Sequence, residues 1–340
     1  MYMATIRDVA QHSGVSISTV STVLTGANRP VSAHIRQKVV LSAKELDYHP
    51  NAMAQALVCR RMNSIGVLSG IFSATDIVTN SYAVGVMKGV LSEATEAKQN
   101  ITLYTQYWRG ADESLSMFRD RRADGLILIS PPTDSDIVEA VAGLGLPLVT
   151  VSTTVHSGVP TVDVDDIQGG HLVVEHLVKL GHRKIAHIGG NEDLISTPNR
   201  RNGYLAAMKN YGLPINDDYL QHAGYDGTHA AEVASKLFRL PEPPTAIFAG
   251  NDKIAIEVMH AAAEAGLCIP GDLSIVGYDD SPVTLYLKPA LTTVHQPLDA
   301  IGAKATKLLM SLINGEPVED KVYVMDPDLV VRSTTGPPGH

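Results

Sequence analysis

TIRDVAQHSGVSISTVSTVLTGANRPVSAHIRQKVVLSAKELDYHPNAMAQAL, residues Thr5 to Leu57, decides the fold of the N-terminal part of this chain. Ile6, Val9 and Ala10 recur at helical spacing, Gly14 interrupts, and Ser16 precedes a second run carrying Val20, Val23 and Leu24. Gly14 supplies the backbone freedom of a sharp turn, Val15 plugs the angle from inside, and Ser16 caps the second helix. A third segment from Ser32 places Ile35, Val39, Ala43 and Leu46 on one side, with Arg36, Lys38, Lys44 and Glu45 turned outward. Three short helices closing a miniature core are therefore expected, the first two as a helix-turn-helix. Pro50 ends this head. Asn51 then caps a helix of one or two turns through Leu57, too short to be stable without a packing partner.

Charge divides along the chain in the same way. The 340 residues carry −9 overall, yet residues 1–62 hold seven Lys or Arg against three acids, a balance of +4 that leaves −13 for the remainder. That asymmetry suits a head drawn to phosphate and a body that is not. At 44% hydrophobic the chain can bury a sizeable core, but it holds no apolar run of about 18 residues, so no membrane partner is expected. The N-terminus lacks the basic start and apolar stretch of a secretory signal, which points to the cytoplasm. Cys59 and Cys268 lie far apart without metal-ligand spacing. There is no phosphate loop ending in Gly-Lys-Ser/Thr, no His-Glu-x-x-His and no Gly-x-Ser-x-Gly, and Gly143-Leu144-Gly145 is an isolated turn. No catalytic residue, metal or cofactor is expected.

From Ser64 the texture becomes strand, loop, helix, repeated. Short apolar runs at Ile65–Leu68, Ile101–Tyr104, Leu126–Ile129 and Pro147–Val151 alternate with helical stretches near 82–97, 111–120 and 134–143. A second series follows, with strands at Ile185–Ile188, Ala246–Phe248 and Ser274–Val276 between helices. The alternation predicts α/β architecture in two doubly wound parallel-sheet lobes with a cleft between them. Ligand contacts then belong at the carboxyl ends of strands and at helix starts. Arg200, Asn251 and Asp279 occupy such places in the second lobe, and Tyr82, Ser130 and Ser152 in the first; Tyr225 or Asp226 is a further candidate for the far wall. An arginine, an amide and a carboxylate together supply donors and acceptors for sugar hydroxyls. The tail from Thr334 to His340, rich in Gly and Pro, reads as disordered.

Asp8-Val9-Ala10, Gly14-Val15-Ser16, Ser18-Thr19-Val20-Ser21, Leu46-Asp47-Tyr48 and Pro50-Asn51 resemble the LacI/GalR family of bacterial transcriptional regulators. Lys179-Leu180-Gly181-His182, Ile188-Gly189-Gly190, Asn251-Asp252 and Ile275 to Asp280 extend the resemblance over nearly the whole chain. It implies a helix-turn-helix DNA-binding domain over 1–49, a hinge over 50–63 and an effector-binding, dimerising body of periplasmic-binding-protein type over 64–340. Three crossings between lobes are implied, giving a first lobe of about 64–162 and 294–324 and a second of about 163–293 and 325–335.

The implied partners are double-stranded operator DNA, a second copy of the chain and a small, carbohydrate-like effector. The expected function is repression from a palindromic operator, with activation or corepressor dependence as the alternative. A sugar-binding protein that does not bind DNA, or an enzyme of doubly wound fold, fits the head and the missing catalytic signatures less well. In the second helix Ile17, Ser18 and Thr22, opposite the core set, are placed to reach base edges. Thr5, Ser16, Thr19 and Ser21 suit phosphate contacts. The family often carries Arg at the position of Thr22 and Asn at that of Thr25, so the operator does not carry over by analogy.

In the family, hinge helices pair across a dimer and insert a leucine between base pairs in the minor groove. The resemblance gives that role to Leu57, with Asn51, Met53 and Ala54 on the same segment near the groove. A wedge of this kind unstacks a base step and kinks the duplex. Leu57→Ala is therefore expected to weaken operator binding and reduce the bend, read by gel shift of circularly permuted duplexes; wild-type affinity and bend together would remove the wedge role.

Overall fold

The computed structural model describes residues 4–25, 29–49, 61–70, 80–153, 158–319 and 321–339. Asn51, Met53, Ala54 and Leu57 lie outside the described residues.

The head consists of α1 (Ile6–Ser13), α2 (Ile17–Thr25) and α3 (Ala33–Glu45). Each start is fixed by a side chain. Asp8 accepts from the Thr5 N–H and hydroxyl (both 2.7 Å), Ser16 Oγ accepts from the Thr19 N–H (3.1 Å), and Ser32 Oγ accepts from the Ile35 N–H (3.4 Å). Gly14 ends α1 with φ 65°, a left-handed conformation that a residue with a Cβ adopts at a cost. Val9, Ala10, Val20, Val23, Val39 and Ala43 form the core, with Ile6, Val15, Leu24, Ile35 and Leu46 packed against them. The 3.6-residue period of the sequence thus becomes one shared apolar centre.

The body runs β1 (Ser64–Ser69), α4 (Ser81–Glu96), β2 (Asn100–Leu103), α5 (Ala111–Ser114), α6 (Ser116–Arg119), β3 (Gly125–Ile129), α7 (Ile137–Ala142), β4 (Leu148–Val151) and β5 (Thr161–Val164). It continues with α8 (Asp166–Lys179), β6 (Ile185–Gly189), α9 (Ser196–Asn210), β7 (Leu220–His222), α10 (Ala230–Phe238), β8 (Ala246–Ala249), α11 (Asp252–Glu264), β9 (Ser274–Asp279), β10 (Thr292–His295), α12 (Leu298–Asn314), β11 (Val322–Met325) and β12 (Asp328–Val330).

Two six-stranded sheets result, ordered β11-β5-β4-β3-β1-β2 and β12-β10-β9-β8-β6-β7. β12 pairs antiparallel with β10, while β3 with its neighbours and β8 with its neighbours are parallel. The central strands are apolar throughout because helices cover both faces.

The chain passes between lobes after β5, again between β10 and α12, and a third time between β11 and β12. Sheet membership carries β5 and β10 a residue or two past the lobe limits expected at 162 and 293. The helix expected over 111–120 is two short helices, α5 and α6, broken at Leu115. Among the described residues, no helix is long and apolar enough to cross a membrane.

In each lobe two helices meet through reciprocal glycines. A Cβ on Gly89 of α4 would lie 1.9 Å from the Asp299 carbonyl oxygen of α12, and one on Gly302 would lie 2.0 Å from the Val86 carbonyl oxygen. Gly170 of α8 and Gly203 of α9 repeat this, at 2.4 Å from the Arg200 carbonyl oxygen and 2.1 Å from that of Ile167. Backbone-to-backbone contact of this kind leaves no room for a methyl group.

The tail corrects the expectation of disorder. Thr334 is fully buried, its carbonyl accepting from Ile275 N–H (2.9 Å) and its hydroxyl donating to Ile275 O (2.7 Å). The Gly336 carbonyl lies 2.9 Å from Nε2 of His182, whose Nδ1 is 2.9 Å from the Thr245 hydroxyl. Glycine and proline here shape a strap along the second lobe, and buried partners satisfy its backbone.

Gly89→Ala is expected to destabilise the body by about 1–3 kcal/mol through overpacking, seen as a lower urea midpoint. A wild-type midpoint would contradict the close approach of α4 and α12.

Candidate functional site

Strand ends and helix starts converge on a cleft between the lobes. The pocket encloses about 400 Å³ open to solvent and is lined by Tyr82, Ser130, Ser152, Arg200, Asn251 and Asp279, together with Asn80, Leu194, Ser196 and Tyr225. The first lobe contributes an uncharged wall. Ser130 and Ser152 directly follow β3 and β4 with φ of 47° and 54°. Their backbone N–H groups donate to Val151 O (2.8 Å) and Val162 O (3.2 Å), so the strand ends are pinned while the hydroxyls face the cleft. Tyr82 lines the cleft beside both serines, and burial and the nearby Asp163 carboxyl push its pKa upward.

The second lobe contributes the charged wall. Arg200, on α9, is 4% exposed. Its Nε donates to Asp166 Oδ1 (2.8 Å), its Nη1 donates to Gly250 O (2.6 Å), and its guanidinium carbon lies 3.7 Å from the Tyr278 ring centroid. Asp279, at the end of β9 with φ 115°, is 4.0 Å from Arg200 Nη1 and accepts from Gln296 Nε2 at 2.6 Å. Asn251 caps α11 by accepting from the Ile254 N–H (2.9 Å) and donates to Tyr225 O (3.0 Å). The Tyr225 hydroxyl is 2.9 Å from Ser196 Oγ, so Tyr225 rather than Asp226 stands on the far wall; Asp226 instead accepts from Thr228.

Burial pushes the Asp279 carboxyl up to about 8, with Arg200 pulling against the shift and Asp252 adding to it. Asp163, at the first crossing, is likewise pushed up to about 8 by burial and by Asp166. Burial opposes the charge of Arg200, but Asp166 and its neighbours more than compensate and hold the guanidinium protonated. Asp280 belongs to the frame: Arg332 Nη2 donates to Oδ1 at 2.5 Å and His295 Nδ1 is 3.1 Å from Oδ2.

The head presents a second candidate surface. Ser16, Ile17 (44% exposed) and Ser18 form an open first turn of α2, Thr5 is exposed before α1, and Thr19 and Ser21 are half-buried. The Thr19 hydroxyl is 2.8 Å from Ser16 Oγ. Thr22 is a correction: it is buried, 7% exposed, where it was expected beside Ile17 and Ser18 on the open face. The helical period does set it opposite Val20, but so short a side chain needs little surface to cover it, and the open face of α2 is confined to its first turn.

Residues 5–51 match the model of bacterial regulatory proteins of the lacI family, and 174–335 match that of the periplasmic binding protein-like domain. The catabolite control protein A of Priestia megaterium is 32% identical over 97% of this chain and 99% of its own length. This chain belongs to the LacI family of bacterial regulatory proteins. It is a DNA-binding transcriptional regulator. The transcriptional repressor PurR of Photobacterium profundum is 30% identical over 98% of both chains. Among solved structures, the Lac repressor dimer bound to operator and the anti-inducer ONPF superposes with a TM-score of 0.86, at 27% identity over 98% of this chain and all of that one. A complex of the regulator CelR with cellobiose superposes at 0.74, with 28% identity over 97% and 99% of the two chains.

In this LacI-family body, all six residues expected in the cleft line one pocket. Sequence reasoning missed Asp166, Asn80, Leu194 and Ser196. Asp166 had a legible signal, a second acid directly after a helix cap at a crossing. Leu194 and Ser196 had none, because only the packing of the loop after β6 brings them to the pocket.

The raised carboxyls fix the sign of a pH effect. In the unfolded chain these groups ionise near 3.8, and in the folded protein near 8. Their stabilising contribution is complete below about pH 4 and is lost as pH rises through 8. Asp163→Asn should flatten the fall in urea midpoint across that range; an unchanged slope would place the proton uptake elsewhere.

Proposed function

We propose that this LacI-family chain is a cytoplasmic, non-enzymatic repressor that grips a palindromic operator as a homodimer and is controlled by a small sugar-like effector in the body's cleft. The observation that carries the reading is the pocket itself. Hydroxyls of Tyr82, Ser130 and Ser152 from one lobe face Arg200, Asn251 and Asp279 from the other across about 400 Å³. Such a set of donors and acceptors suits a polyol and lacks the arrangement of a nucleophile with its base. Relatives support it, since CelR is solved with cellobiose and a LacI-family regulator of Enterococcus faecium with ribose.

Control follows from coupling between two sites. An effector that changes how the lobes close shifts the spacing of the two hinge segments of a dimer. A helix of one or two turns, such as Asn51 to Leu57 would form, is marginal enough to fold or melt in response. Ile17 and Ser18, on the open first turn of α2, read bases in the major groove, and Thr5, Ser16, Thr19 and Ser21 contact phosphates. Ile17 suits a thymine methyl.

Selection from a random duplex library with purified protein should enrich a palindrome with a pyrimidine–purine centre. Absence of enrichment at moderate salt, both with and without pooled sugars, would overturn the reading. On the enriched duplex, Asp279→Ala should abolish the response to effector while operator binding persists; loss of both would make Asp279 structural.

A further inference from the structure

Among the described residues lining the cleft, Arg200 is the only lysine or arginine. The body's other stretches, 71–79 and 154–157, contain neither residue type. The charge of Arg200 is already matched inside the protein. Nε donates to Asp166, Nη1 to the Gly250 carbonyl, and the guanidinium plane lies over Tyr278. Its sequence neighbour Arg201 is committed to Glu192 at 2.6 Å.

Two further buried carboxyls, those of Asp163 and Asp279, are pushed up to about 8 and so are mostly protonated and uncharged at neutral pH. The opposite wall adds the hydroxyls of Tyr82, Ser130 and Ser152 and the amide of Asn80. The sharing is already tight: Asp279 accepts from Gln296 at 2.6 Å, and its Arg200 contact is long at 4.0 Å.

We infer that this cleft admits an uncharged polyol and rejects its phosphorylated or carboxylated derivatives, because its one lining cation among the described residues is committed to Asp166 and the Gly250 carbonyl within the protein. The inference rests on the effector reading above and narrows the ligand class. A phosphate or carboxylate entering the pocket would give up its hydration and find no lysine or arginine whose charge is not already matched.

The test uses the full-length protein and calorimetric titration with matched sets: glucose, glucose 6-phosphate and glucuronate; galactose, galactose 6-phosphate and galacturonate; ribose and ribose 5-phosphate. Binding by a neutral member, with its anionic counterparts at least about tenfold weaker, is the expected result. An anionic member that binds as tightly as its neutral parent, or more tightly, overturns the inference.

If no member binds, the sugar reading fails and a second measurement decides the charge inference. Thermal unfolding is followed with and without millimolar inorganic phosphate. Asp166→Asn, or Asn80→Lys should that variant fail to fold, is expected to gain phosphate protection that the unmodified protein lacks, the first by releasing Arg200 and the second by adding an unmatched cation to the lining. An equal response in the two proteins, including none in either, overturns it.

Discussion

A guanidinium buried to 4% exposure is tolerable only if its neighbours are built around it, and Arg200 determines much of the second lobe on that account. It reaches the first turn of α8 through Asp166, the end of β8 through Gly250 O, and the end of β9 through the Tyr278 ring and Asp279. Removing a single partner would leave a buried charge unpaired, which costs far more than the intact pair contributes. The glycine contact of α8 with α9 fits the same constraint. Gly170 approaches the Arg200 backbone so closely that α8 carries Asp166 to within hydrogen-bond distance of the Arg200 side chain. Packing and electrostatics thus fix each other.

Backbone strain is concentrated at the strand ends around the cleft, although Lys98 and Arg121 also adopt positive φ elsewhere in the body. Ser130, Ser152, Asp279 and Asp280 adopt positive φ at strand ends, where non-glycine residues pay roughly 1–3 kcal/mol each. Each is held by its surroundings: the two serines by backbone bonds to the adjacent strands, Asp280 by Arg332 and His295, Asp279 by Gln296. Conformations that cost energy and are over-determined in this way aim side chains into a pocket that regular strands would point elsewhere.

Much of this was legible because periodicity and punctuation carry local information. The head core from Val9 to Ala43 and its caps Ser16 and Ser32 follow from spacing alone. Ser130, Ser152, Asn251 and Asp279 follow from the rule that ligands gather at the carboxyl ends of strands. What stayed hidden depends on tertiary neighbours. Asp166 matters because Arg200, 34 residues away, points at it. The Gly-Pro tail resembled a disordered segment by composition, and only the buried Ser274 and His182 show where its backbone groups are satisfied. Thr22 lies opposite Val20 by period and is nevertheless covered.

Asp279 also connects the cleft to the path of the chain between lobes. Its partner Gln296 is itself buried and immediately follows β10, at the second crossing, where its carbonyl accepts from the Leu298 N–H (2.8 Å) that opens α12. The neighbouring Asp280 holds His295, the last residue of β10 before that crossing, and Arg332, beyond the third. A ligand that draws on Asp279 therefore competes with a bond anchoring one crossing, while Asp280 secures the strand end beneath it. Lobe closure and ligand contact are linked through a few short hydrogen bonds instead of a diffuse surface. In the first lobe α12 packs on α4 through Gly89 and Gly302 without slack. A displacement at Gln296 is then passed to that helix pair together, because at Gly89 and Gly302 backbone meets backbone with no room to slide.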